Sequence, residues 1–256
     1  MIVATWNVNS LKVRLPLVLE FLQARRPDIL ALQETKTTDD RFPEKEIGDA
    51  GYTCFFYGQK TYNGVALLFL TAPENIRRGI PGFEDEQARA LWATTADGLL
   101  VASLYAPNGQ EVGSSAYAYK LKWFDALGDC LEKEFKTPEK IILMGDFNVA
   151  PDDRDVYDPK GWEGQVLVST EERRAFSGLL ERGLCDALRL VTQEGGIYTW
   201  WDYRQAAFFR GWGLRLDHVL VSCPLAQKVK GAEVDKTWRK RKTPSDHAPV
   251  LATLEI

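Results

Sequence analysis

The sequence is poor in the residues from which most metal and nucleophile sites are made. Two histidines, His218 and His247, are all that 256 residues contain, which excludes a histidine-rich metal centre. The four cysteines, Cys54, Cys130, Cys185 and Cys223, are widely spaced with no CxxC pair. That spacing speaks against a zinc site or a disulfide frame, and they are expected as buried thiols in a reducing cytoplasm. No apolar run approaches the roughly 20 residues that span a bilayer. The chain runs straight into Ile2-Val3-Ala4-Thr5-Trp6, without the basic flank and apolar core of a secretory signal. A basic excess is lacking as well. Lys and Arg number 32 against 36 Asp and Glu, a net charge of −4. This excludes a protein that coats nucleic acid without specificity, but leaves room for a local basic face. GxGxxG, P-loop, HExxH and GxSxG motifs are missing, and with them the enzyme classes those motifs mark. No linker, low-complexity tract or repeat period breaks the chain, so residues 1–256 read as one domain.

What is present is a set of apolar runs that end in polar groups. Ile141-Ile142-Leu143-Met144 leads into Gly145-Asp146-Phe147-Asn148. This reads as a strand buried on both faces that emerges at the end of a sheet, where open α/β sheets place their ligands. Asp146 and Asn148 are two apart and share a face of extended chain. An acid and an amide so placed either bind a metal, a water or a phosphate, or close the strand in an Asx turn. Similar endings recur at Asn7, Glu34 and Asn108.

Leu15, Val18, Leu19 and Leu22 recur at helical spacing. Ser10 can cap this helix, Pro16 places its proper start nearby, and Pro27 ends it. A short helix is expected before Gly51, neighbouring strands at 52–57 and 65–70, and a surface loop over 73–90. Asp97-Gly98 between 91–95 and 99–105 signals a hairpin. Tyr117, Leu121, Phe124, Leu127 and Leu131 mark an amphipathic helix over 117–135. Residues 150–168 read as a long irregular loop with Asp152, Asp153, Asp155 and Asp158, of the kind that is functional or mobile. Ser169-Thr170-Glu171-Glu172 has the pattern of a capping box and opens a helix. Residues 214–221 read as a strand with Asp217 inside it, and 250–256 as the last strand. Lys236-Thr237-Trp238-Arg239-Lys240-Arg241-Lys242 is the one dense cationic stretch, either a solvated face or a contact surface. The pattern fits the α/β class: a four-layered α/β sandwich, two packed mixed sheets flanked by helices.

His247 lies beside Asp246 in a loop between Ser245 and Pro249, where packing explains it poorly. With no nucleophile elbow, several carboxylates, several amides and one histidine remain at the strand ends. Oxygen-rich sites suit Mg²⁺ or Mn²⁺, which keep waters and take one or two carboxylates plus substrate phosphate. Such a site points to metal-assisted phosphoester hydrolysis by water.

Six short motifs then occur in order: Trp6-Asn7-Val8-Asn9, Leu32-Gln33-Glu34-Thr35-Lys36, Tyr105-Ala106-Pro107-Asn108, Gly145-Asp146-Phe147-Asn148, Arg215-Leu216-Asp217-His218 and Ser245-Asp246-His247-Ala248-Pro249. Together, over essentially the whole chain, they resemble the exonuclease III family of apurinic/apyrimidinic (AP) endonucleases in the endonuclease/exonuclease/phosphatase superfamily. Tyr198-Thr199-Trp200-Trp201-Asp202-Tyr203 favours the DNA-repair branch over the inositol-phosphatase and sphingomyelinase branches. The resemblance implies Glu34 as principal Mg²⁺ ligand (Mn²⁺ as the alternative ion), Asn7 alongside it and Asp246 near the metal. Asp146 would orient or deprotonate the attacking water, and Asn148 would hold that water or a phosphate oxygen. His247 would donate to non-bridging phosphate oxygens, with Asp217 as its carboxylate partner. Tyr105 and Asn108 would contact the scissile phosphate or help the leaving 3′ oxygen. Trp200, Leu214 and Leu216 would line a pocket for an extrahelical abasic sugar. The pattern departs at Asn9, where the human-type enzymes carry an aspartate, and the loop at Trp212-Gly213 is not matched.

The implied activity is hydrolysis 5′ to an abasic site in duplex DNA, leaving a 3′ hydroxyl. Related 3′-phosphodiesterase, 3′-phosphatase and 3′→5′ exonuclease activities accompany or replace it. The alternatives are a specialist at blocked 3′ ends and a small-molecule phosphodiesterase on the same scaffold. A catalytically silent DNA-damage binder is expected to have lost Glu34, Asp146 or His247. The implied setting is a cytoplasmic protein, off the membrane and monomeric by default.

Overall fold

The computed structural model describes residues 1–133 and 140–256. The first sheet holds β1 (Ile2–Asn7), β2 (Ile29–Gln33), β3 (Thr53–Tyr57) and β4 (Val65–Phe69). The second holds β5 (Asn75–Arg78), β6 (Ala90–Thr94), β7 (Leu100–Tyr105), β8 (Ile141–Asp146) and β9 (Leu184–Asp186). A two-stranded ribbon of β10 (Trp200–Trp201) and β11 (Gly213–Leu214) precedes β12 (Asp217–Ser222), which joins the second sheet. β13 (Val229–Val234) and β14 (Val250–Leu254) return to the first. Among the helices, α2 (Glu44–Asp49) is the short one expected before Gly51 and α4 (Pro159–Trp162) lies in the segment after β8. The strand orders are β13-β14-β1-β2-β4-β3 and β5-β6-β7-β8-β12-β9. Both sheets are mixed: β1–β2 and β7–β8 pair parallel, the other neighbours antiparallel.

The alternation of side chains along each strand sorts the core into layers. Ile142 and Met144 of β8 face Val3, Ala31 and Leu67 of the first sheet. Ile141 and Leu143 face the other way, toward Trp123, Phe124 and Leu127 of α3 (Ser115–Lys133) and Phe176 of α5 (Thr170–Glu181). On the far side, α1 (Leu11–Arg25) lays Val18, Phe21 and Leu22 over Ala4, Leu30 and Leu68. The result is helix, sheet, sheet, helix, as expected. β8 is buried along its whole length, which explains its unbroken apolar run.

Several local expectations are corrected. Ser10 makes no side-chain cap and stands at φ 87. Its backbone N–H and that of Leu11 instead donate to the Glu34 and Thr35 carbonyls, so the helix starts at Leu11 with Pro16 inside. Residues 73–90 contain the exposed edge strand β5, whose arginines suit a sheet edge but hide the strand signal. The stretch 150–168 is tied down by short helices at Asp153–Asp155 and Pro159–Trp162, capped by the Asp152 and Asp158 side chains. The expected strand 214–221 breaks at Arg215 and Leu216, so Asp217 begins β12. Arg215 turns there to bury its guanidinium against Asp155 and Asp186. Of the cysteines, Cys54 and Cys130 are buried, but Cys223 is exposed and its thiol lies 2.9 Å from that of Cys185. Pairing of β9 with β12 brings these distant positions together. Helix α3 starts two residues early and leaves Leu121 only partly buried; residue 135, where its end was expected, lies outside the described residues. The capping box at Ser169 and Glu172 and the Asp97-Gly98 hairpin form as expected. No described helix is long and apolar enough to cross a membrane.

Candidate active site

One end of the sandwich gathers the polar strand ends. Asp146 closes β8, Tyr105 closes β7 and Asp217 opens β12. Register puts Tyr105 and Asp217 directly opposite Asp146 on its two flanks. Gly145 permits this arrangement, because a Cβ there would meet the Leu104 carbonyl oxygen at 1.9 Å. From the other sheet, the Asn7 amide donates to Glu34 Oε1 and to Asp146 Oδ2, both at 2.9 Å. One amide thus spans the two sheets. Glu34 follows β2 in the left-handed region at φ 50, held by backbone bonds from Thr35 and Lys36 to Gly64 and Asn63. Lys36 Nζ lies 2.8 Å from Glu34 Oε2 and donates to Asn9 Oδ1 at 2.6 Å.

The His247 loop closes over this cluster. Ser245 donates its hydroxyl to the Asn7 carbonyl, and Trp6 Nε1 donates to the His247 carbonyl. His247 Nδ1 lies 2.8 Å from Asp217 Oδ2, and Nε2 lies 3.8 Å from Asp146 Oδ2. Burial alone would lower the His247 pKa, but the Asp217 and Asp146 carboxylates outweigh it and raise it to about 10. The ring is therefore imidazolium at neutral pH, a donor at both nitrogens. Asp146 is 1% exposed. Its burial, opposed by His247 and reinforced by Asp217, pushes its pKa up to about 7. The Asp146 Oδ1 also accepts the Asn148 N–H at 2.9 Å, so the Asx turn and the polar cluster coexist. Asn148 donates to the Ala106 carbonyl, and the Asn108 amide lies 3.4 Å from Asn148 Oδ1. Burial and the Glu34 and Asp146 charges hold the Tyr105 phenol protonated, well above its ordinary pKa.

The residues expected at the metal do not all converge equally. Glu34, Asp146 and His247 bring ligand atoms within 4.8 Å of one another. Asn7 meets them through its NH₂ group, while its carbonyl oxygen accepts the Asn9 N–H. The Asp246 carboxylate is held to the side by Asn9 Nδ2 at 3.0 Å and Trp200 Nε1 at 3.1 Å. A divalent ion fits this centre. The carboxylate oxygens are hard donors, and burial, reinforced by the Asp217 and Glu34 charges, raises the Asp146 pKa, which a dication would relieve. As imidazolium, His247 has no lone pair for a metal and stands instead as a donor.

Leu214 and Leu216, expected to line a sugar pocket, are 0% and 1% exposed. They pack with Ala150, Val156, Leu167 and Val168, and Trp200 lies partly buried against them. His218 takes no part: it is buried between Phe147 and Phe176, bonded to Arg215 and Val149. Sequence reasoning assigned no role to Lys36, Thr199 or Lys120. Thr199 Oγ1 accepts the N–H groups of both Leu216 and Asp217 and so sets the start of β12. Lys120 did carry a signal, since it falls on the apolar stripe of α3, three residues after Tyr117 and four before Phe124.

Two mixed sheets packed face to face, with a buried acid–imidazole cluster at one end, define a phosphoester hydrolase of the α/β-sandwich class. The chain belongs to the Endonuclease/Exonuclease/phosphatase family, whose sequence profile matches residues 4–247. It is 35% identical to exodeoxyribonuclease III of Haemophilus influenzae, across 97% of both chains. Among solved structures, it superposes on a 3′ phosphatase from Neisseria bound to a product DNA hairpin, at 44% identity and TM-score 0.97 over all of both chains. An AP endonuclease from Archaeoglobus fulgidus aligns at 36% identity and TM-score 0.95, again over all of both chains.

Proposed function

We propose that this chain is a divalent-metal-dependent DNA repair nuclease, a single domain over residues 1–256, that hydrolyses the phosphodiester 5′ to an abasic site in duplex DNA. The observation that carries the reading is the convergence of Glu34, Asp146 and His247 within 4.8 Å, with Asp217 on the far side of the imidazole. Mg²⁺, or Mn²⁺ in its place, would be held by Glu34 with Asp146, Asn7 and Asp246 around it, and would neutralise charge on the phosphate as a fifth oxygen approaches. Asp146 accepts the proton of the attacking water, and Asn148 orients that water. His247 donates Nε2–H to a non-bridging phosphate oxygen, and Asp217 keeps the ring charged and aimed. Tyr105 and Asn108 face the phosphate or the departing O3′; as the P–O3′ bond breaks, O3′ takes a proton from solvent water and becomes the 3′ hydroxyl, and the phosphate stays on the abasic side. Exposed Lys236, Lys240, Arg241 and Lys242 contribute salt-sensitive backbone contacts, while Arg239 is buried against the Ser245 carbonyl. The same reading takes the protein as a monomer of the cytoplasm, with no membrane role.

A second reading, a specialist at 3′ ends, is favoured by one observation. Leu214 and Leu216 are sealed under Leu167 and Val168, so an extrahelical sugar lined by them must first displace an apolar cluster. A substrate panel separates the two: duplexes with one internal tetrahydrofuran, a 3′-phosphate or a 3′-hydroxyl, each with and without EDTA. EDTA-sensitive incision at the tetrahydrofuran is expected. Turnover of the 3′-ended duplexes alone overturns the first reading in favour of the second, and EDTA-insensitive turnover overturns both.

A further inference from the structure

Beneath the candidate site lies a buried ion pair that the mechanism above does not use. Lys120 of α3 and Glu172 of α5 are both 0% exposed and form a salt bridge. Lys120 Nζ also donates to the Asn148 carbonyl at 2.6 Å and the Asn108 carbonyl at 3.1 Å. An ammonium has three donors, and each goes to a different segment: the loop after β7, the loop after β8 and the first turn of α5. Glu172 in turn accepts from the Leu167 and Ser169 N–H groups and the Ser169 hydroxyl.

This pair is hard to explain by stability alone. Burial lowers the Lys120 pKa despite Glu172, so the ammonium sits there at a cost, and apolar residues often replace buried ion pairs without loss. What the pair does supply is position. Asn148 stands in the left-handed region at φ 52. Gly109 has φ 92, and a Cβ there would lie 3.1 Å from the Lys120 side chain. The lysine thus packs closely on the turn at Gly109 and bonds the carbonyl of the turn at Asn148. The geometry points to Lys120 as a positioning residue: by fixing the Asn108 and Asn148 carbonyls, it sets the Asn148 amide beside Asp146 for the attacking water and the Asn108 amide for the reacting phosphate. Glu172 is its counterion. This assignment rests on the nuclease reading above for its kinetic consequence, but not for its structural one.

Either single neutral variant would strand the other buried charge, so the test is the charge-neutral double variant Lys120→Met/Glu172→Gln, with Lys120→Arg beside it. In the double variant kcat is expected to fall about 10- to 100-fold, the scale of an ångström-level misplacement, with KM within about twofold. Lys120→Arg, which keeps the cation, is expected to recover most of kcat. A double variant with wild-type kcat, or one that loses only KM, overturns the assignment. Should the double variant fail to fold, Lys120→Arg decides: it keeps a cation against Glu172 and donors for both carbonyls, so kcat stays within about threefold whatever the change in Tm, and a tenfold loss overturns it. Selective ¹⁵N-asparagine labelling gives a readout without turnover. The Asn108 and Asn148 side-chain amide signals are expected to shift or broaden in the double variant, and unmoved signals overturn the proposal. Should wild-type protein cleave none of the DNA substrates, the nuclease reading fails while this readout still tests the positioning role.

Discussion

Asp217→Asn is the most informative single change, because it removes a charge and little else. Asp217 is 1% exposed, and its Oδ2 lies 2.8 Å from His247 Nδ1. Its backbone N–H is held by Thr199, and asparagine has nearly the same shape. The two carboxylates together carry His247 from an ordinary 6.5 to about 10, roughly 5 kcal/mol of net preference for the imidazolium. Asp217 is the largest attraction in that sum. Without it, Asp146 at 3.8 Å is the nearest carboxylate left against burial, and His247 returns to its ordinary range or below. At pH 8 the ring is then neutral. Losing a charged donor where the transition state gains charge costs about 2.7–4 kcal/mol, or about 10²–10³ in kcat. The assay is kcat against pH on whichever duplex the wild type cleaves. Wild-type activity needs His247 charged, so it is lost as pH rises through about 10. In Asp217→Asn that alkaline limb moves down to near neutrality, and part of the rate returns on acidification. Tm is expected to fall by several degrees, because Asp217 Oδ2 gives up its charged bond to His247 Nδ1, so kcat is compared at a temperature where the variant remains folded. A variant with wild-type kcat at pH 8, or with its alkaline limb unmoved, refutes the reasoning.

Asp146→Asn is expected to lower kcat at least about 10²–10⁴-fold, the contribution of a general base, while DNA binding measured by fluorescence anisotropy persists; full activity would remove Asp146 from the mechanism. Because the Asp146 pKa is pushed up to about 7 and a protonated carboxyl brings no negative charge to a divalent ion, the metal-free protein's affinity for such an ion should weaken as pH falls below 7, which isothermal titration at pH 6 and 8 checks. Gly145→Ala drives a Cβ into the Leu104 carbonyl at 1.9 Å and should cost at least about 3 kcal/mol, visible as a Tm lower by roughly 6–12 °C; an unchanged Tm would show that β7 and β8 yield there. Arg215→Met leaves the buried Asp186 carboxylate without its guanidinium and Asp155 with Arg189 alone and should cost about 3–5 kcal/mol. In the wild type, Arg215 and His218 outweigh burial and hold the Asp186 carboxyl well below the usual range. That stability is complete above pH about 4 and is lost as pH falls through the folded pKa, so the variant's acid unfolding curve should flatten over that interval.

Much of the site was legible along the chain because each member sits at a recognisable boundary. Asp146, Asn7 and Tyr105 end apolar runs, whereas Asp217 reads as lying inside one and only the structure places it at a strand's start. A polar residue at the close of a buried strand is unusual enough to be noticed in one dimension. The layered architecture was legible for a related reason: burial on two faces leaves unbroken apolar runs such as Ile141–Met144, and burial on one face leaves helical stripes. What failed was whatever depended on a partner far away in sequence. The start of α1 looked limited by Pro16, yet it is set by the Glu34 and Thr35 carbonyls. The break before Asp217 comes from Asp155, about sixty residues earlier.

The sequence by itself determined which side chains are available and which strand ends carry them, since those follow from local patterning. Only the tertiary structure decided how charges share the buried centre. It set His247 between two carboxylates, gave Asn7 to both Glu34 and Asp146, and moved Asp246 aside onto Trp200. It also sealed Leu214 and Leu216 within an apolar cluster. The reason is that protonation and access depend on distance and burial, both of which arise only when segments remote in the chain are packed together.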